Sequence, residues 1–448
     1  MAVRSRRNIP YAIESLEIEG YKSLGQRKVI DLKALTLIAG VNSSGKSSIM
    51  QPLLLLKQTV DAPYDPGPLQ LDGPNVSVTS VEQVLSKTLS ATARARGFSL
   101  GLSTSNAQTR VRFNKDATGN LRVAEYSGYF LPGQESPISI REGMPQAQLR
   151  KLFDPLLKAA DLPGLFKGRN SKLTVMRDRF TLSPAMEYES GRTTARIPLN
   201  FSMPGDMSDI ASRIIHLPAL RGNPLRTYRT ASVDVRYPGR FDTYTAGIIS
   251  YWQNNKRTEK LQQLRKDVEE LGLTWKIEAR QIEDTQVELL VGRLPQARQG
   301  GARDLVNIAD VGFGVSQTLP VVVALLAAIP GQLVYLEQPE IHLHPRAQLK
   351  FAQLVRRAVE RGVRVVIETH SSIFLRAVQT IVAQDALDPD EVAMHWFTRD
   401  RSSGETQITT ADLQEDGSFG DWPEDFDDVY MASESAYLNA AMLRTAVG

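Results

Sequence analysis

Cysteine is absent from the 448 residues. That removes disulfides, thiolate metal centres and cysteine nucleophiles together, and it is what a reducing compartment leads one to expect. Long apolar runs are lacking as well. The longest, LPVVVALLAAIP (Leu319 to Pro330), falls well short of the roughly 20 residues needed to cross a bilayer, so no membrane partner is expected. The basic start MAVRSRRNIPYAIE has no apolar h-region after it, which argues against a secretory signal; the expected location is the cytoplasm. Net charge is close to nil at +3. It makes no case for a nucleic-acid partner, although a local basic patch stays open. What is present, 42% apolar and 23% charged residues, is the composition of a globular chain. At about 150 residues per domain, two or three domains are expected.

The first strong signal is near the N-terminus. AIESLEIEGYKSL alternates as a half-buried strand does, and LTLIAG is a short buried strand. GVNSSGKSS follows at once, and Gly40 to Ser47 satisfies G-x-x-x-x-G-K-[ST] without a gap. The glycines Gly40 and Gly45 let the backbone N–H groups of Asn42, Ser43, Ser44 and Ser48 curl around phosphate oxygens. Lys46 reaches the β and γ phosphates, and the Ser47 hydroxyl ligates Mg2+. The next segment, SSIMQPLLLLKQT, opens a helix whose N-terminus faces the anion. The competing reading is a Gly/Ser turn.

A phosphate loop needs an acid for magnesium, and none of the next hundred residues ends an apolar strand on one. The match lies some 290 residues on, in LVYLEQPEIHLHP, where the strand ends on Glu337. A further apolar strand, VRVVIETHSS, is read as ending at Thr369 and His370, with the helix PRAQLKFAQLVRRAVERG between the two. Strand–helix–strand order implies a parallel crossover, and ligands gather at the C-terminal ends of such strands. Lys46, Glu337 and His370 are therefore expected at one edge. Upstream, DVGFGVSQTLPVVVALL places Gly312 and Gly314 in a turn and Ser316 and Gln317 at the start of an apolar helix, a second anion site.

Together these segments resemble the ATP-binding-cassette architecture of SMC-like heads, in particular bacterial AAA-family, OLD-like ATPases of a subgroup with an EQPEIHLHP-type Walker B and a tail like GSFGDWPEDFDD. The resemblance covers roughly residues 12 to 85 and 300 to 400. It implies an α/β fold: an ABC-type P-loop head with a mixed or parallel sheet core and an antiparallel lobe, split by a long α+β insertion. It also implies ATP and Mg2+ as ligands. GFGVSQ (Gly314, Ser316, Gln317) stands where the signature motif would be. Such heads dimerise head to tail, so the signature of one copy would meet the nucleotide of the other. Lys22, in GYKSL, stands where these heads often carry a basic residue near the nucleotide, and Gln83, in VEQVL, is a candidate Q-loop glutamine.

Residue by residue, Glu337 is expected to bind magnesium, directly or through water; a helix-capping or surface acid is the bland alternative. Gln338 occupies the place of the general base. An amide takes no proton but can orient water. Loss of a positioned base costs about 10²–10⁴ in rate, so slow hydrolysis is expected, with Glu340 or His370 assisting; Glu340 and Pro339 shaping the loop is the alternative. His370 is expected to hydrogen-bond the terminal phosphate, unless it is a satisfied strand-end histidine. His342 and His344 share a face only in an extended segment; a metal site there is disfavoured against a loop touching a partner copy, with His344 capping the helix that Pro345 begins.

Four regions are expected: 1–130, the N-terminal half of the head; 131–295, the insertion; 296–400, the C-terminal half with signature, Walker B and switch histidine; and 401–448, an acidic tail. In the insertion, HLPALRGNPLRTYRTASVDVRYPGR carries Arg221, Arg226, Arg229, Arg236 and Arg240 against one acid, Asp234. That loop could track a nucleic-acid backbone, clamp a neighbour's nucleotide, or be a solvated linker. Thr245 to Leu273 reads as one charged helix of six or seven turns, too short for an SMC arm. Trp422 and Phe426 in the tail suggest docking on the head or a partner. The expected function is a nucleotide-driven switch that oligomerises on ATP and controls an effector such as a nuclease or toxin, in anti-phage defence or DNA metabolism as the resemblance implies. The alternatives are a non-hydrolysing ATP-dependent clamp and a DNA-binding protein with a regulatory ATP site.

Overall fold

The computed structural model describes residues 12–87, 94–130, 134–159, 171–190, 193–199, 206–230, 235–294, 304–420, 435–438 and 442. In chain order its elements are β1 (Ile13–Glu19), β2 (Lys28–Asp31), β3 (Leu35–Gly40), α1 (Lys46–Asp61), β4 (Gly97–Thr104), β5 (Gln108–Lys115), β6 (Leu121–Gly128), β7 (Ile138–Ile140) and α2 (Gln146–Ala159). Next come β8 (Ser171–Asp178), β9 (Thr181–Ser190), β10 (Thr193–Pro198), α3 (Met207–Arg213), β11 (Ile215–Leu217), β12 (Tyr228–Arg229), α4 (Thr245–Asn254), α5 (Thr258–Glu270), β13 (Ile277–Glu283), β14 (Gln286–Gly292) and β15 (Leu305–Asn307). The chain then forms α6 (Phe313–Ala327), β16 (Leu333–Glu337), α7 (Pro345–Glu360), β17 (Arg364–Glu368), α8 (Ser372–Ala383), β18 (Val392–Arg399) and β19 (Thr406–Ala411).

The central sheet runs β11-β16-β17-β3-β18-β19, parallel throughout except for the edge pair β18–β19. An antiparallel lobe, β2-β1-β4-β5-β6-β7, contains the β5–β6 hairpin, which turns at Asp116 to Asn120. The expected α/β architecture with an antiparallel lobe is therefore present.

The apolar strands LTLIAG, LVYL and VRVVI are buried on both faces, which is why they lack alternation. Side chains still alternate between two cores. Leu35, Leu37, Val334, Leu336, Val365 and Ile367 join the core built by α4, α6, α7 and α8. Ile38, Leu333, Tyr335 and Val366 join the core on the α1 side. That parity directs Glu337 and Glu368, two residues beyond Tyr335 and Val366, toward the α1 side.

Two expectations change. Thr245 to Leu273 is two helices rather than one, because Lys256 takes a left-handed φ of 52° between α4 and α5. The first residues of the arginine-rich segment are not loop. β11 pairs in parallel with β16, so His216 lies opposite Tyr335 in the sheet that carries Glu337. After residue 400, β19 completes the sheet edge and Phe419 packs on the core beside α8. Trp422 and Phe426 lie outside the described residues.

Candidate nucleotide-binding site

Gly40 ends β3 at φ 140°, and a Cβ there would sit 2.1 Å from the Phe397 carbonyl oxygen, so only glycine fits between β3 and β18. Gly45 also has a positive φ, 100°, and precedes α1 directly. This turn aims the N-terminus of α1 into a cleft of about 590 Å³ that Asn42, Ser43, Ser44, Gly45, Lys46, Ser47 and Ser48 line along one side. Lys46 is buried. Its ammonium donates to the carbonyls of Gly40 (3.1 Å) and Val41 (2.9 Å). Burial pulls its pKa below the ordinary lysine value, and Glu368 opposes that pull.

The acid that meets Ser47 is not the one read from the sequence. Ser47 Oγ donates to both oxygens of Glu368, at 3.1 and 2.9 Å. β17 ends on Glu368, one residue earlier than read, and lies between β16 and β3. Glu368 therefore pairs with Ile38 on one side and with Glu337 on the other. The two strand-end acids are neighbours, with Tyr335 Oη donating to Glu368 Oε2 at 3.1 Å. Burial raises the Glu368 pKa, and Glu337 raises it further.

Glu337 is held differently. Its Oε1 bonds His216 Nε2 at 3.1 Å, and its Oε2 accepts from the Ala219 amide at 3.3 Å. Burial pushes this carboxyl up, but the His216 contact and the Ala219 hydrogen bond outweigh it, and its pKa ends below the ordinary value. His216 stacks on Tyr335 (centroids 5.3 Å apart) and bonds Asn75 Oδ1 at 3.0 Å through its other nitrogen. Sequence reading missed His216 as part of the site; its strand is three residues long and carries no motif.

Gln338 enters the cleft with a left-handed φ of 42°, its amide donating to the Glu368 carbonyl at 2.8 Å. A non-glycine residue held there stores of order 1–3 kcal/mol, which the surrounding structure must offset. Glu340 does not line the cleft. It is 6% exposed, and its Oε1 accepts from Thr369 Oγ1 (2.6 Å) and the His370 amide (3.1 Å). Burial raises its pKa. Its geometry is that of a hook holding the end of β17. His370 reaches the cleft, with its pKa lowered by burial and then by Lys46. Lys22 and Gln83 also line it, Lys22 donating to Gln51 Oε1 at 2.5 Å. Arg399, which no motif marks, closes the rim and donates to the Ser43 carbonyl at 3.3 Å.

Gly314, Ser316 and Gln317 do not line this cleft. Ser316 and Gln317 are buried at the start of α6, and the Gln317 side chain donates to the Gly222 carbonyl at 3.1 Å. Beside them Phe313 is exposed and stacks on His342. His344 caps α7 by accepting from the Arg346 amide, and among the described residues no group of three His, Cys, Asp or Glu side chains could hold a metal.

The arginine cluster does not form one open basic face. Arg221 is a correction: it is 6% exposed, so it is not presented to any phosphate backbone. Its guanidinium donates to the carbonyls of Gln317 (3.0 Å) and Glu337 (3.2 Å). Arg226 pairs with Asp310, Arg236 with Asp209 and Arg240 with Asp242. Arg229 is exposed on β12.

The donor set fits magnesium. The Ser47 hydroxyl and the Glu368 carboxylate, at the N-terminus of α1, are hard oxygen donors of the kind magnesium takes. No helix among the described residues is long and apolar enough to cross a membrane.

Three solved structures are similar to the chain: an SMC head bound to the C-winged helix domain of ScpA (13% identity, 90% of this chain and 98% of that one, TM-score 0.49); an SMC head domain from Thermotoga maritima (12%, 89% and 98%, 0.40); and an SMC head with an extended coiled coil bound to the C-terminal domain of ScpA, derived from Pyrococcus furiosus (12%, 90% and 96%, 0.45). No curated protein matches. A family model described as "AAA domain, putative AbiEii toxin, Type IV TA system" matches residues 35–376, from β3 into α8. The chain thus belongs to this AAA-domain family.

Proposed function

We propose that this protein binds ATP with Mg2+ in the phosphate-loop cleft, hydrolyses it slowly, and uses the nucleotide to associate with a second copy and control an effector. The observation that carries the reading is the convergence of Lys46, Ser47, Gln338, Glu368 and His370, from three distant segments, on one cleft. In this reading Lys46 leaves the Gly40 and Val41 carbonyls for phosphate oxygens. Ser47 and a strand-end acid would hold magnesium, which when bound neutralises charge on the phosphates. Gln338, fixed by its backbone, orients the attacking water. His370, which lines the cleft, hydrogen-bonds the terminal phosphate. Glu340 positions Thr369 and His370 rather than taking the proton, which keeps turnover slow.

Association is supported by the signature helix. Its start lies off its own cleft, with Phe313 and Ile341 exposed beside it. In a head-to-tail pair Gly314, Ser316 and Gln317 would address the partner's nucleotide. The partner class proposed is an effector such as a toxin or nuclease, and a cytoplasmic location accords with the cysteine-free composition. Direct nucleic-acid binding has less support, since Arg221 is buried and Arg226, Arg236 and Arg240 are paired.

Fluorescent-ATP binding and phosphate release test the reading. Wild type should bind and turn over, and Lys46→Ala should do neither. Gln338→Ala should bind but release phosphate more slowly. The non-hydrolysing clamp is the second reading, favoured by an amide in the base position. It would show nucleotide-dependent dimers by light scattering and no phosphate release above the Lys46→Ala background.

A further inference from the structure

Resting on the nucleotide-site reading, we propose that Glu368 is the carboxylate that joins Ser47 in holding the nucleotide's magnesium, with Glu337 a flanking acid oriented by His216. Four observations lead there. Two adjacent ligands of an octahedral magnesium, each about 2.0–2.1 Å from the ion, lie about 2.9 Å apart. Ser47 Oγ and Glu368 Oε2 are already 2.9 Å apart, so both can ligate one ion with little movement once the Ser47 hydroxyl proton turns away. Second, among the described residues that line the cleft, Glu368 is the one carboxylate. Third, both Glu337 oxygens are engaged elsewhere, by His216 and the Ala219 amide. Fourth, β17 is the immediate neighbour of β3, whereas β16 is one strand further out. The acid on β17 is therefore about 4.8 Å closer to the phosphate loop than the acid on β16.

Two buried carboxylates placed side by side repel, and burial penalises both charges. A divalent cation between Ser47 and Glu368 offsets that cost, which gives the arrangement a reason to exist. Tyr335, donating to Glu368 Oε2, helps fix the carboxylate plane beside Ser47.

The experiment measures the affinity of fluorescent ATP in excess EDTA and in excess Mg2+, the ratio being the magnesium-dependent gain. Removing even an outer-shell partner of a metal costs roughly 10–100-fold. Glu368→Gln should therefore cut the gain at least tenfold, while Glu337→Gln should cut it less. Glu368→Asp, which keeps the charge on a shorter arm, should recover part of the gain and serves if the Gln variant fails to fold by circular dichroism. The proposal is overturned if Glu368→Gln and Glu368→Asp keep the full gain, or if Glu337→Gln alone abolishes it. If wild type binds no nucleotide with or without magnesium, the site reading fails and takes this inference with it. A wild type that binds equally in EDTA and Mg2+ sinks the inference alone.

Discussion

Arg221 offers the sharpest stability test. It is 6% exposed and stitches α6 to β16 through the carbonyls of Gln317 and Glu337. Burial pulls its pKa down to about 10, well below the ordinary arginine value. A drop of that size corresponds to about 3 kcal/mol spent on keeping the charge inside. Two hydrogen bonds from a charged donor return about 1.5–3 kcal/mol each. The net is therefore small, but removal is not its mirror image, because the two carbonyls stay buried without a donor. Arg221→Met fills most of the volume and sheds the buried charge; it should cost about 1–3 kcal/mol. Arg221→Ala adds a cavity and should cost about 3–5 kcal/mol. Arg221→Lys reaches one carbonyl at most and should fall near the Met value. Equilibrium urea unfolding reads all three. The folded-state pKa lies below the unfolded one, so the unfolded chain binds more protons only above about pH 10. Stability then rises with pH in that window alone, and the cost of each variant should be flat from pH 6 to 9. An Arg221→Ala protein within about 0.5 kcal/mol of wild type would refute the reasoning.

The buried Lys57–Asp61 pair, 2.9 Å apart, anchors α1 to the Tyr237 carbonyl and the Gly239 amide. Asp61→Asn should cost about 3–5 kcal/mol by leaving Lys57 unpaired, and Lys57→Met/Asp61→Asn should recover part of that in a double-mutant cycle. Asp267 is 2% exposed and its pKa is raised chiefly by burial. Its folded form binds more protons than the unfolded chain just above pH 3.8, so it lowers stability as pH rises through that window; Asp267→Asn should flatten that part of a melting-temperature profile. Gly40→Ala forces a Cβ to 2.1 Å from the Phe397 carbonyl at φ 140°. It should abolish ATP binding or soluble expression, and normal binding would contradict the tight contact between β3 and β18.

Some of this molecule was written in contiguous residues. The phosphate loop is one, because its geometry comes from glycines at fixed offsets between a buried strand and a helix. The apolar strands ending near Glu337 and His370 are others, as is the helix cap at His344. Local periodicity could not see the break at Lys256, which is a single backbone conformation inside a continuous charged pattern. The parity of β16 was available: counting by twos from Tyr335 puts Glu337 on the α1 side. Which acid faces Ser47 was not available. That depends on β17 inserting between β16 and β3, a pairing across more than 300 residues that packing of the whole sheet selects. The same holds for His216 beside Glu337, and for arginines that look like an open basic loop in one dimension and close onto Asp310, Asp209 and Asp242 in three. The sequence by itself determined a glycine-hinged loop between a buried strand and a helix; only the tertiary structure decided which carboxylate stands next to it, because strand order is set by long-range burial and not by neighbouring residues.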